Sequence, residues 1–292
     1  MARKAECATF SQQDIESLRP AMKIGLLATV NSQGLPHITL LSSLQAASPT
    51  GLTFGQFIEG LGKSNVTKNP RVGFLIMTLQ REMWRGRALF RETTRSGPEF
   101  EEYNRVPMFR YNAYTGIHTV FRFDLVRHGG RERLPMASIV CASLATKVAS
   151  LFTLSRQPCR ALTGETRRLM EGMGNLKFAA WVDTEGFPRI VPVIQAQPLG
   201  DRIIFSTLAF TRELAEIPPG VPLAVFGMSL NMEDVLARGL YLGARRIGCL
   251  RCAVAEIDWV YNPMPPVPGQ IYPSAELAPV TDFEAAAPQS SP

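Results

Sequence analysis

Lys63, Ser64 and Asn65 stand side by side in the stretch GLGKSNVTKNPRVGFLIM (60–77), directly ahead of an apolar run that reads as a buried strand. A cation, a hydroxyl and an amide together make a donor set for an anion such as a phosphate, provided a rigid sheet edge holds them. The same residue types also make a plain solvated turn that keeps a sheet edge soluble. Other chemistry-bearing residues are sparse. The histidines are His37, His118 and His128, too few for a histidine-rich metal site. Of five cysteines only Cys249 and Cys252 form a close pair, and that CxxC lies in a strand-like run without a second pair, so core packing is the expectation.

The chain has 292 residues, 46% of them hydrophobic, enough to bury one large core or two smaller ones. An odd cysteine count at irregular spacing fits a reducing compartment better than a disulfide framework. No run reaches the roughly 18 uncharged apolar residues of a membrane span. The best candidate, MASIVCASLATKVASLF from Met136, is interrupted by Lys147 and reads as a packed helix with Ile139, Leu144 and Val148 near one face. The N-terminal residues lack the apolar centre of a secretory leader, so a cytoplasmic location is expected. The net charge of +6 is spread over scattered arginines with no DNA-binding signature. A small phosphorylated ligand fits it better than a nucleic acid, and no membrane partner is expected.

The elements that must position these residues occur twice. GLLATVNSQGLPHITLL from Gly25 matches KFAAWVDTEGFPRIVPV from Lys177, with Gly34 on Gly186, Val30 on Val182, Pro36 on Pro188 and Ile38 on Ile190, an offset of 152. Each copy is a β-hairpin with a polar, glycine-containing turn. Downstream, GLTFGQF pairs with DRIIFST, NPRVGFLIM with GVPLAVFGM, and WRGRALF with LARGLYLG. Four strand-like segments in the same order predict a mainly β protein of two tandem β-domains with flanking helices, each domain a β-barrel or a sandwich. The expected division is 1–127 for the first barrel, 128–173 for a helical connector, 174–262 for the second barrel and 263–292 for a tail. That tail contains eight of the 22 prolines and reads as extended or disordered. A short helix opens the chain, with Ser11 capping the run IESLRPAMKIG from Ile15 to Gly25.

The series IGLLATVNSQGLPHITLL, LTFGQF, GKSNVTKNPRVGFLIM and WRGRALF resembles the FMN-binding split-barrel superfamily, the pyridoxamine 5′-phosphate oxidase-like proteins. The resemblance covers about residues 10 to 127 well and the second half more faintly, to about 262. It implies an antiparallel split barrel paired with another, an FMN cofactor in the groove between them, and an oxidoreductase acting on a small molecule, with a reduced nicotinamide as a possible donor. Lys63 and Ser64 stand where the family places phosphate donors, and Asn65 begins a short helical turn. Arg81, Arg85 and Arg87 are alternative cations. The flavin ring would lie along Thr39, Leu40, Leu41 and Ser42, beside Gly55 and Gln56, with Trp84 stacked nearby.

The second copy offers LAEIPPGVP from Leu214 in place of the phosphate stretch, so its own site is expected to be degenerate. The pairing is then either within one chain, as a pseudo-dimer with Trp181, Arg189 and Arg212 facing the ligand, or between two chains as a homodimer. The aromatic and basic stretch 97–126, with Phe100, Tyr103, Phe109, Tyr111 and Tyr114, is either a roof over the ligand or a satellite core. The founder activity of the family is not expected, because the chain ends in YNPMPPVPGQIYP and an acidic, alanine-rich tail. Two other classes stay open: a non-catalytic flavin-binding sensor, and a haem-binding barrel with His37 or His128 as axial ligand.

Overall fold

The computed structural model describes residues 6–57, 60–107, 116–151, 159–247, 250–264 and 268–274. The chain is mainly β and forms two split β-barrels, each an eight-stranded antiparallel sheet with short helices. Two compact units result, one of Met1–Leu134 with Asp183–Ile190, the other of Pro135–Val182 with the chain from Val191 on. The helices that the sequence reading assigns to a connector thus belong to the second unit.

The first unit begins with α1 (Gln12–Leu18), where Ser11 and Asp14 form a reciprocal capping box. The helix ends at Leu18 because Pro20 has no N–H with which to continue the ladder, so Arg19, still in α conformation, closes the last turn with its N–H on Glu16 O at 3.4 Å. The predicted continuation through Lys23 to Gly25 is instead strand. The strands are β1 (Lys23–Val30), β2 (Pro36–Leu40), β3 (Gln45–Ser48), β4 (Gly51–Gln56), β5 (Arg71–Thr78), β6 (Glu82–Thr94), β7 (Thr119–His128) and β8 (Glu132–Arg133). Helix α2 (Leu61–Lys68) links β4 to β5, and α3 (Pro98–Arg105) follows β6. The sheet order is β2-β1-β5-β6-β7-β4-β3, with β8 on β6. Leu27, Phe54, Phe74, Ile76, Trp84 and Phe123 fill its core.

The second unit has α4 (Met136–Leu151), α5 (Gly164–Glu171), β9 (Leu176–Val182), β10 (Pro188–Pro192), β11 (Gln197–Leu199), β12 (Arg202–Ser206), α6 (Thr211–Ala215), β13 (Pro222–Met228), β14 (Asp234–Ile247), β15 (Leu250–Asn262) and β16 (Gly269–Tyr272). Its order is β10-β9-β13-β14-β15-β12-β11, the order of the first sheet. Trp181, Val191, Phe205, Val225 and Tyr241 are among its core residues. β16 pairs with β15, and Trp259 Nε1 donates to Gln270 Oε1 at 2.8 Å, so part of the stretch expected as loose tail is a strand.

Local bonding follows the same plan in both hairpins. Asn31 Oδ1 accepts from the N–H groups of Gln33 and Leu35, and Asp183 Oδ1 accepts from those of Glu185 and Phe187. Gly34 and Gly186 both take the left-handed conformation that closes such a turn, at φ +77° and +80°. The turn around Asp183 is counted in the first unit for a physical reason. There Arg87 lies 3.3 Å from Asp183 and 2.9 Å from Glu185, Arg127 lies 2.7 Å from Glu185, and Phe187 sits beneath the guanidinium of Arg71.

Candidate functional site

The donor stretch lies within a helix that begins four residues before Asn65, the expected start of a short helical turn. α2 starts at Leu61, after Gly60 in extended conformation, and Asn65 lies in its middle. The N–H groups of Lys63 and Ser64 donate to Gly60 O at 3.0 and 3.3 Å. Gly60 has no side chain with which to cap the helix and the first turn of α2 carries no acid, so the positive end of the helix dipole meets no carboxylate within that turn.

Ser, Asn and Thr are indifferent helix formers, so packing holds α2 in place. Its inner face is Gly62, Asn65 and Val66. Val66 enters the barrel core, and Asn65 Nδ2 donates to Thr29 Oγ1 of β1 at 3.3 Å. Gly62 lies so close to β2 that a Cβ there would stand 2.1 Å from Thr39 Oγ1. That hydroxyl is buried and has no hydrogen-bond partner. With the inner face consumed, Lys63 and Ser64 are left half-buried on the outer side of the first turn.

Beyond β2 the chain passes Leu40, Leu41 and Ser42, of which Leu41 is buried and the other two half-buried. Leu41 N–H donates to Gly25 O at 2.7 Å, and Leu44 N–H turns back to Leu41 O at 3.0 Å. Ser43 then bridges to β4. Its hydroxyl donates to Gly55 O at 2.8 Å and lies 3.1 Å from Gly55 N. Tyr103 of α3 donates to Ser43 O at 2.9 Å and shares a 2.8 Å bond with Thr53 Oγ1. Burial pushes the Tyr103 phenol far up, so it stays protonated as a donor.

Thr39 to Ser42, Gly55 and α2 are therefore joined through one loop. Ser43, Gly62 and Thr53, which the sequence reading left out, do the joining. Ser43 was accessible as the residue following four named ones, whereas Gly62 and Thr53 carry no signal in a single sequence. Gly55 is needed because a Cβ would meet Ile117 at 2.3 Å, and Gln56 is a buried strand residue whose carbonyl accepts from His118 N–H at 3.4 Å.

Trp84 is placed apart from this group. It is fully buried in the barrel core, its indole N–H donates to Asp14 Oδ1 at 2.9 Å, and Arg131 covers its ring at 5.3 Å. Burial raises Asp14, but its bonds from Ser11 and Trp84 and the charge of Arg131 outweigh that and hold it below the ordinary carboxylate range. The alternative cations are engaged as well. Arg85 pairs with Glu132 at 2.6 Å, Arg87 pairs with Asp183 and Glu185, and Arg81 occupies the tight β5–β6 turn at φ 63°.

His128 uses both ring nitrogens structurally, Nε2 within 2.9 Å of Thr9 O and Nδ1 accepting from Gly130 N–H at 3.1 Å, while its ring stacks on Phe10. His37 is buried beneath α2 at 3% exposure. Neither is presented to a haem. Phe100 and Tyr103 belong to a satellite core with Ile117 and Val120, and Phe109, Tyr111 and Tyr114 lie outside the described residues. Cys252 is buried, and Cys249 lies outside the described residues. Among the described residues no group of three or more His, Cys, Asp and Glu side chains is gathered to hold a metal, and no helix is long and apolar enough to cross a membrane.

When the registers of β5 on β1 and β13 on β9 are matched, Leu214, Ala215 and Glu216 of the second unit correspond in sequence to Lys63, Ser64 and Asn65 of the first. Leu214 is buried in the core. Trp181, expected to face a ligand, is a core residue too, while Arg212 is exposed on α6 and Arg189 half-buried on β10.

No family model and no curated protein matches the chain. Solved structures do. HupZ of Group A Streptococcus is 15% identical over 41% of this chain and 91% of its own, with TM-score 0.34. An FMN-binding protein from Syntrophomonas wolfei is 13% identical over 40% and 85%, with TM-score 0.33. A FAD-binding protein from Mesorhizobium loti is 16% identical over 44% and 100%, with TM-score 0.29. These similarities are at low identity and cover about two fifths of this chain.

Proposed function

We propose that the first unit binds flavin mononucleotide and that the protein is an oxidoreductase using it on a small molecule. The observation that carries the reading is α2. Its inner face is spent on β1 and β2, and its uncapped first turn presents Lys63 and Ser64 together with helix N–H groups, a donor set suited to a phosphate dianion. The orphaned Thr39 hydroxyl beneath Gly62 adds a polar atom where the ring would begin, and the loop 40–43, fastened to Gly55 by Ser43, is stiff enough to hold a planar ring. A bound flavin would supply two-electron transfer, while the chain's own residues bind, orient and shield it. The substitution of Leu214 and Ala215 for Lys63 and Ser64 supports one phosphate site per chain, with the second barrel a diverged copy of the first.

The test is paired titration with FMN and riboflavin. Lys63→Ala is expected to weaken FMN binding by about 1–3 kcal/mol, as for loss of one partner in a charge-assisted bond, and to leave the weaker riboflavin binding unchanged. Arg71→Ala changes the charge by the same unit beyond the helix and should have little effect. Equal losses with both ligands would refute a phosphate contact. Anaerobic reduction of the bound flavin by a reduced nicotinamide separates an oxidoreductase from a flavin sensor.

A further inference from the structure

Helix α4 is apolar on both sides. Ile139, Ala142, Thr146 and Ala149 face β11, β12 and β15 of the second barrel, and Thr146 Oγ1 accepts from Ser206 N–H at 2.9 Å. Leu144 and Val148, expected to share the face of Ile139, point the other way. With Met136, Val140 and Leu151 they form a stripe along the outer side at 37, 52, 56, 41 and 67% exposure for residues 136, 140, 144, 148 and 151. The helix carries a single charge, Lys147. A helix that is apolar all round is normally covered all round.

The occupant of the outer face follows from its chemistry. Sixteen residues make a helix about 24 Å long, short of a bilayer span. A helix that lies on a lipid surface needs a strongly charged polar face, and α4 has none. An acidic or basic peptide would find no matching row of charges. What remains is a surface equally apolar, and the stripe is one to itself. Met136, Val140, Leu144 and Val148 form a single i, i+4 ridge, and two such ridges from identical helices interdigitate across a two-fold axis at Leu144 with a crossing near −50°. The exposed apolar area is on the order of 400 Å² per chain, the size of the largest patch on a typical monomer, which is often functional, and it could form the apolar centre of a standard dimer interface of about 800 Å² per partner.

We propose that the outer face of α4 is the two-fold contact of a homodimer, with Leu144 packed against Leu144 of a second copy. The proposal is independent of flavin binding. It also differs from pairing through the barrels, since α4 flanks the second sheet and no barrel strand takes part.

Light-scattering mass of the full chain across a dilution series tests it. Wild type should have twice the chain mass, and Leu144→Lys should halve the mass measured at the same concentration, weakening association at least about a hundredfold. The melting curve of dilute protein should be unchanged, and Leu230→Lys, at another exposed leucine, should have no effect on mass. In a Cys141→Ser background, Leu144→Cys should cross-link two chains on mild oxidation. A monomeric wild type whose melting point falls with Leu144→Lys would show that the stripe is covered within the chain, which overturns the proposal. A Leu144→Lys protein that keeps its full mass, or a Leu144→Cys protein that does not cross-link, overturns it equally.

Discussion

Asp234 opens β14 opposite Met228, with its backbone N–H directed at Met264 Sδ at 3.4 Å. Its Oδ1 is buried without a hydrogen-bond partner, and burial pushes the carboxyl up to about 7 from 3.8. A rise of about three pH units at ~1.4 kcal/mol per unit means that ionised Asp234 costs the folded state on the order of 4 kcal/mol. The sign fixes the pH window. Below about 4 both folded and unfolded chains are protonated and the cost is absent; between about 4 and 7 only the folded chain keeps the proton, so stability falls as pH rises; above 7 the whole cost is felt. Asp234→Asn is close in shape and cannot ionise. Thermal melts should show it several degrees more stable than wild type near pH 8, with the gain shrinking to nothing near pH 4. A variant no more stable at pH 8, or equally stabilised at both pH values, would refute the idea that an unpaired buried carboxylate is the cause.

Gly62→Ala forces a methyl group onto Thr39 Oγ1, so α2 must lift from β2 at a cost of about 1–3 kcal/mol in denaturant melts, with weaker FMN binding. Adding Thr39→Ala, which removes an oxygen that has no hydrogen-bond partner, should recover most of both losses. Tyr103→Phe removes the donor to Ser43 O and the partner of Thr53 Oγ1, and should cost about 1–3 kcal/mol with an unchanged far-ultraviolet spectrum.

The barrels were legible because hairpins write themselves locally. Asn31 with Gly34 and Asp183 with Gly186 specify the turns, and the apolar runs beside them specify strands buried on one or both sides. Helix α1 was legible at its start, through Ser11, and misjudged at its end, where Pro20 stops it. Helix α2 was legible only as a short helical turn from Asn65, because its residues have little intrinsic helicity and its three packed positions become meaningful only once Thr29 and Thr39 are beneath them. Trp84 shows a different limit. Alternation along β6 tells that two faces exist but not which one looks into the core, so a tryptophan bonded to Asp14 reads the same as one waiting for a ligand. For α4, uniform apolarity removed the phase that would have told Ile139 from Leu144.

The membership of Asp183–Ile190 in the first unit bears on the order in which the protein matures during synthesis. Arg87 is only 7% exposed, and its carboxylate partners are Asp183 and Glu185. A nascent chain that has reached only Leu134 holds every strand of the first sheet but not the counter-charges of that guanidinium. At 5–20 residues per second those carboxylates emerge roughly 3–10 s later, after α4 and α5 have been translated. The first barrel is then sealed by a hairpin that belongs to the next half of the message. Translation and folding are out of step here, and a ribosome-arrested fragment ending between 134 and 183 should stay protease-sensitive around β6 until the later turn is supplied.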